Sequence, residues 1–190
     1  MTDRPYHHPD LRNRLVAETL ATVERDGAGA VTISRIAAAC GVSVAAPYRH
    51  FPNKEALLGA VAAQGFNGLG EALSAAAEAS SDARERLVQA GVAYVDYAAR
   101  HPHLFRLMFS ADLRERQHVA GPAALERLTV LVDPLDLQVP AAVAVRATWA
   151  LAHGLAELRL GGMLTFTGDD SEERLRAELA TLLDGIAPSR

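Results

Sequence analysis

Apolar residues along this chain recur at intervals of three and four, and no stretch sustains a period-two alternation, so the pattern predicts an all-α fold. Asp10 is placed to cap a first helix that runs to about Arg25, with Leu11, Leu15, Ala17 or Glu18, Thr19, and Thr22 or Val23 marking a partly apolar face; Gly27 and Gly29 stop it. Thr32 caps a second helix in which Ile33, Ile36, Ala37 and Cys40 fall at i, i+3, i+4 and i+7, while Ser34 and Arg35 take the opposite face. Gly41 then stands where a helix end needs a left-handed residue, and Ser43 can cap a third helix reaching to about His50. With only Val42 between the two caps, the third helix must leave the second at a steep angle. That is the plan of a helix-turn-helix, whose second helix enters the DNA major groove. Pro52 and Asn53 end this element and cap the next, which begins at Lys54 and continues through Leu57, Leu58, Val61 and Ala62 with no linker composition before Gly65.

Further along, Asp82, Leu87, Ala90, Tyr94, Tyr97, Ala98 and Arg100 outline an amphipathic helix that His101-Pro102-His103 breaks. A short apolar segment follows, with Leu104, Phe105, Leu107, Met108 and Phe109. It reads equally as a core plug or as the wall of a ligand cavity. Residues 110–120 fit a loop or a loose helix, and Gly121-Pro122 opens a helix that Asp133-Pro134 closes. On a helix from about Val139 to Leu160, Val143, Ala147, Ala150, Gly154 and Leu158 line one stripe whose small side chains allow another helix to approach closely. On the last helix Leu175, Leu179, Leu182 and Ile186 form a seam. Two such helices from each of two protomers would bury both stripes in a four-helix homodimer interface, and a helix-turn-helix protein that reads a palindromic operator needs two half-sites about one DNA turn apart. The alternative is that the stripes close the protomer's own core.

The residues of the corner resemble the TetR family of transcriptional regulators in order and spacing over about fifty positions. They are Thr32, Ile36-Ala37, Gly41-Val42-Ser43, Tyr48-Arg49-His50-Phe51 and Lys54-Glu55-Ala56-Leu57. The resemblance implies that Tyr48 and His50 contact phosphates; Tyr48 packing on the bundle with its hydroxyl in water is the structural alternative. Pro47 departs from the aliphatic residue expected there and leaves the start of the recognition helix open between Ser43 and Ala46. Trp149 and His153-Gly154 resemble the Trp-x-x-x-His-Gly signature of one TetR C-terminal domain type.

Val44, Ala45 and Ala46 are short apolar side chains able to meet thymine methyl groups, so hydrogen-bonded readout falls to Ser43, Arg49, or Arg35 from the preceding helix. Lys54 adds a charge to a helix N-terminus, a phosphate clamp. Tyr94, Tyr97, Phe105, Met108, Phe109, Trp149 and His153 are the candidate ligand-binding residues, suited to a small, largely apolar effector with one polar handle; a buried Trp149 beside a satisfied His153 is the structural alternative.

Composition sharpens this picture in a few places. With 49% hydrophobic and 22% charged residues the chain is a folded protein, and its single cysteine excludes an internal disulfide framework and suits a reducing cytosol. No apolar run reaches the length of about 18 residues that a membrane span needs, and MTDRPYHHPD lacks the apolar core of a signal peptide, so a cytoplasmic protein is expected. The net charge of −4 is unevenly spread: seven Lys or Arg face six Asp or Glu in residues 1–55, against twelve and seventeen in the remainder. Neither His7-His8 nor His101 and His103 have partners at metal-ligand spacing. The absence of a phosphate loop, a nucleophile elbow and a defensible Ser/His/Asp set argues against an enzyme, and no cofactor is implied. The expected architecture is an N-terminal three-helix bundle with helix-turn-helix over residues 1–58, whose first nine residues are a loose arm. It is joined through a shared helix to a helical effector-binding and dimerisation domain over 59–190. The expected function is a DNA-binding regulator, a ligand-released repressor or a ligand-independent helix-turn-helix adaptor.

Overall fold

The computed structural model describes residues 8–113, 125–168 and 171–187. All regular elements among them are helical, as expected. They are α1 (His8–Asp26), α2 (Ile33–Ala39), α3 (Lys54–Ala77), α4 (Ala83–Arg100), α5 (Pro102–Met108), α6 (125–132), α7 (Ala141–Leu160) and α8 (Glu172–Ile186). The expected arm at 1–9 lies outside the described residues up to position 7, as do the side chain of Asp10, most of the 110–120 segment and the Gly121-Pro122 start of α6.

The described residues fall into two compact units. The first takes everything up to Gly65 together with 103–113, and the second takes Phe66–Pro102 together with everything from 125 onward. In the first, α1 turns Leu11, Leu15, Val16 and Val23 inward onto Val31, Ile33, Ile36 and Ala37. The Thr19 hydroxyl, buried on the same face, is satisfied by donating to the Leu15 carbonyl at 2.7 Å. From α3 this unit takes Leu57, Leu58, Val61 and Ala62, and from α5 Leu104, Phe105, Leu107 and Met108, all buried. Gly65 allows the close approach of these two helices: a Cβ there would stand 2.7 Å from Met108 Sδ and 3.1 Å from Leu104 Cγ.

In the second unit α4 is the central helix, packed against both α7 and α8. Asp82 caps it, its carboxylate accepting from the Glu85 amide at 2.7 Å. Gly91 lets α8 approach so closely that an added Cβ would meet both δ-carbons of Leu179 at 2.8 Å. Two arginines tie the ends of the pair. Arg84 donates to the Ala187 and Ala180 carbonyls at 2.7 and 3.1 Å and pairs with Asp184, while Arg176 pairs with Glu85 and so holds that carboxyl below its ordinary range.

This packing corrects the reading of the last helix. Leu175, Leu179 and Ile186, expected to face a second protomer, are buried in the unit's own core beside Leu183, and Leu182 is left half-exposed at the edge. The seam runs 175, 179, 183, 186 because α8 turns it toward α4. On α7 the expected stripe lies at the surface: Val143, Ala150 and Leu158 are exposed and Ala147 and Gly154 half-exposed, while Ala144, Val145, Thr148, Ala152, Leu155 and Ala156 face inward.

Candidate nucleic-acid interface

The corner after α2 is built from local chemistry. The Thr32 hydroxyl accepts from the Arg35 amide at 3.2 Å and starts α2. At its end Gly41 adopts φ +69°, and two bonds close the turn, Gly41 N–H to the Ala38 carbonyl and Val42 N–H to the Ala37 carbonyl, each 3.0 Å. This pair is the Schellman arrangement, which satisfies the carbonyls a helix end leaves over. Arg14 of α1 adds a third tie, donating to the Cys40 carbonyl at 2.7 Å. Cys40 itself is buried, and burial pushes its thiol pKa up.

The element beyond the corner differs from the expected helix over Ser43 to His50. After a turn in which the Ala46 amide donates to the Ser43 carbonyl at 3.0 Å, the only helical piece is a single 3-10 turn, Pro47–Arg49. Proline accounts for this. An α-helix would run the amide of residue 47 to the Ser43 carbonyl, and Pro47 has no N–H, so that carbonyl takes the tighter bond from Ala46. Pro47 is buried, and its own carbonyl accepts from both His50 and Phe51 at 2.9 Å. Phe51, also buried, anchors the far end, with the Arg12 guanidinium 5.2 Å from its ring centroid. Asn53 then caps α3 through the Ala56 amide at 2.8 Å.

Held between these anchors, Ser43, Val44, Ala45, Tyr48 and Arg49 are exposed, with Val44 and Tyr48 at 54% and 53%; Ala46, His50 and Lys54 are half-exposed. Thr32 is exposed but is used as a cap. Arg35 is exposed, and its guanidinium bonds Asp26 at 2.6 Å and the Ala30 carbonyl at 3.2 Å, tying α2 to the end of α1. Arg25 and Arg35 together hold the Asp26 carboxyl below its ordinary range. Arg12 and Arg14 are the structural residues that sequence reasoning missed, since nothing in their spacing announces a partner 26 or 39 residues away.

The candidate ligand residues divide. Tyr94, Trp149 and His153 come together in the second unit: the Tyr94 hydroxyl lies 3.0 Å from His153 Nδ1, and the indole and imidazole centroids are 6.1 Å apart. Burial raises the Tyr94 pKa well above its ordinary value, so the phenol stays protonated and can donate to His153. Tyr97, in the same unit, is buried with its ring 4.6 Å from that of His101. Phe105, Met108 and Phe109 belong to the first unit. There Phe105 and Met108 are fully buried core and Phe109 lies against Phe105, centroids 4.9 Å apart. Trp149 is 41% exposed.

Burial holds the His153 pKa below its ordinary 6.5, and Glu157, one turn along, opposes that shift. The folded protein therefore prefers neutral imidazole, and its contribution to stability is complete above pH 6.5 and lost as pH falls below it. Between pH 7.5 and 5 the thermal midpoint of the wild type is expected to fall further than that of His153→Gln. Equal falls would rule the effect out.

A short element held on a glycine corner, with Ser43, Val44, Ala45, Tyr48 and Arg49 exposed, free of acidic residues from Ser43 to Lys54 and followed by a capped helix N-terminus, is how helix-turn-helix regulators meet duplex DNA. Comparison with known proteins places it more narrowly. Residues 15–61 match the family of bacterial regulatory proteins called the tetR family, and residues 87–182 match the tetracyclin repressor-like C-terminal domain. The chain belongs to the TetR family and is a DNA-binding transcription regulator, not an enzyme. A protein with unknown function from Rhodococcus sp. RHA1 is 33% identical over 97% of this chain and 100% of its own, with a TM-score of 0.77. NalD of Pseudomonas aeruginosa, the secondary repressor of the MexAB-OprM multidrug efflux pump, shares the fold at 22% identity over 96% of this chain and 98% of its own, TM-score 0.64. A TetR family transcription regulator from Marinobacter aquaeolei VT8 shares it at 19% identity over 93% and 95%, TM-score 0.65. No curated protein matches the chain significantly.

Among the described residues no helix is long and apolar enough to cross a membrane, and no group of three or more His, Cys, Asp or Glu side chains is placed to hold a metal.

Proposed function

We propose that the chain is a homodimeric, cytoplasmic repressor that grips a palindromic operator through Ser43–His50 and Lys54 and is released by a small, largely apolar ligand. The observation that carries the DNA half is the exposure of Val44, Tyr48 and Arg49 on a segment with no acidic residue. Dimerisation is supported by α7, whose outer face offers Val143, Ala147, Ala150, Gly154 and Leu158 to a second copy; a Cβ added at Gly154 would meet nothing within 4 Å in the protomer. The repressor role is supported by likeness to NalD, named as a repressor. For the ligand, Tyr94, Trp149 and His153 offer an indole face beside a hydrogen-bonded imidazole. A ligand can favour release only by binding the DNA-incompetent arrangement more tightly than the competent one.

Lys54 stands in the first turn of α3, behind the Asn53 cap, where its charge adds to the helix's positive end. Lys54→Ala is expected to weaken binding to all DNA sequences alike and to lower the slope of log affinity against log salt by about one unit. A salt titration of operator binding by fluorescence anisotropy reads this directly, and an unchanged slope removes Lys54 from the interface. A monomer by light scattering at micromolar concentration would remove the dimer.

A further inference from the structure

The four base pairs differ in the major groove by a small set of groups. Guanine is read by Arg or Lys, adenine by the paired donor and acceptor of Asn or Gln, cytosine by Asp or Glu, and thymine by apolar contact with its 5-methyl. Against that code the exposed segment is one-sided. From Ser43 to Pro52 there is no Asn, Gln, Asp or Glu, and the nearby Asn53 spends its side-chain oxygen on the Ala56 amide. The second basic candidate, Arg35, is tied to Asp26 and the Ala30 carbonyl, which leaves Arg49 as the guanidinium on this segment. What the segment does expose next to the corner is apolar: Val44, at 54%, and Ala45 beside it. They stand at the N-terminal end of the element, the end that meets base edges in a helix-turn-helix. Pro47 fixes this arrangement, because without its N–H the segment keeps the tight Ser43–Ala46 turn and presents the two side chains from a bend.

We propose that Val44 and Ala45 read A·T pairs in the operator by covering thymine 5-methyl groups, so that methyl contact, not hydrogen bonding to adenine, sets the sequence preference at those positions. This rests on the regulator reading above. A side chain half in water in the free protein would lose that exposed apolar surface, and the methyl its own, on binding.

The test uses the full-length protein and DNA recovered by it from a random duplex pool. Each thymine of the recovered site is replaced in turn by deoxyuridine, which lacks only the 5-methyl group. At one or two positions of each half-site the affinity is expected to fall about fourfold per methyl removed, and about sixteenfold when both half-sites are changed. Val44→Gly or Ala45→Gly should bind the thymine and deoxyuridine forms of its own position equally while keeping the wild-type salt slope. Both residues are exposed, so each variant is expected to melt like the wild type by circular dichroism. Deoxyuridine without effect at every position overturns the proposal and leaves the regulator reading standing, as does a thymine preference that survives in both variants. Failure to recover any preferred sequence from the pool overturns the regulator reading and the proposal with it.

Discussion

Phe105→Ala is expected to lower the unfolding free energy by about 3–5 kcal/mol, the range for emptying the site of a fully buried aromatic ring. Phe105 is 0% exposed, lies against Phe109, and shares the short α5 with buried Leu104, Leu107 and Met108. The cost is the lost transfer energy of the ring plus a cavity that close-packed neighbours refill only in part. Urea unfolding followed by circular dichroism should show a lower midpoint with little change in slope. The substitution also separates two readings of the sequence, since a ring lining a ligand cavity would have room around it already. A loss below about 1 kcal/mol would favour that cavity and contradict the packing described here.

Gly41→Ala should damage function more than stability. At φ +69° an alanine costs about 1–2 kcal/mol, although the space is open and a Cβ would touch nothing within 4 Å. The chain can relieve that strain only by rotating out of the left-handed region, which breaks the bonds from Gly41 and Val42 to Ala38 and Ala37 and swings the segment that follows. Operator affinity is therefore expected to fall by about 5- to 30-fold, equivalent to the whole backbone cost appearing as misplacement. Gly41→Asn, which tolerates this conformation better, should recover part of it. If alanine binds the operator as well as glycine, the corner does not set the angle of the probe.

The corner was legible because its causes are neighbours in sequence. Thr32 caps three residues away, Gly41 closes a turn over four, and Asp82 and Asn53 cap the helices they precede. Pro47 was visible as an anomaly, but only the hydrogen-bond pattern shows that it reduces the expected recognition helix to one 3-10 turn. Distance in sequence hid the rest. Arg14 reaching the Cys40 carbonyl, Arg35 folding back on Asp26, and Leu179 entering the space above Gly91 each depend on how helices meet, which periodicity does not encode. The seam of α8 shows the limit well. Positions 182 and 183 both fit a helical stripe beside 179 and 186, and the neighbouring helices choose Leu183. The same limit applies to α5, whose apolar run looked like part of the later domain and instead fills the earlier unit.

That placement of α5 bears on how the protein is made. Gly65 leaves the ribosomal exit tunnel roughly forty residues ahead of Met108, which covers it in the folded unit, a delay of about 2–8 s at ordinary elongation rates. The N-terminal helices therefore leave the ribosome with an unfinished interior, and the DNA-reading end, though translated first, is completed only after α4 has followed it. Nascent chains stalled before residue 103 should be protease-sensitive and held by chaperones, while those stalled beyond 113 with the exit tunnel cleared should resist digestion up to α3.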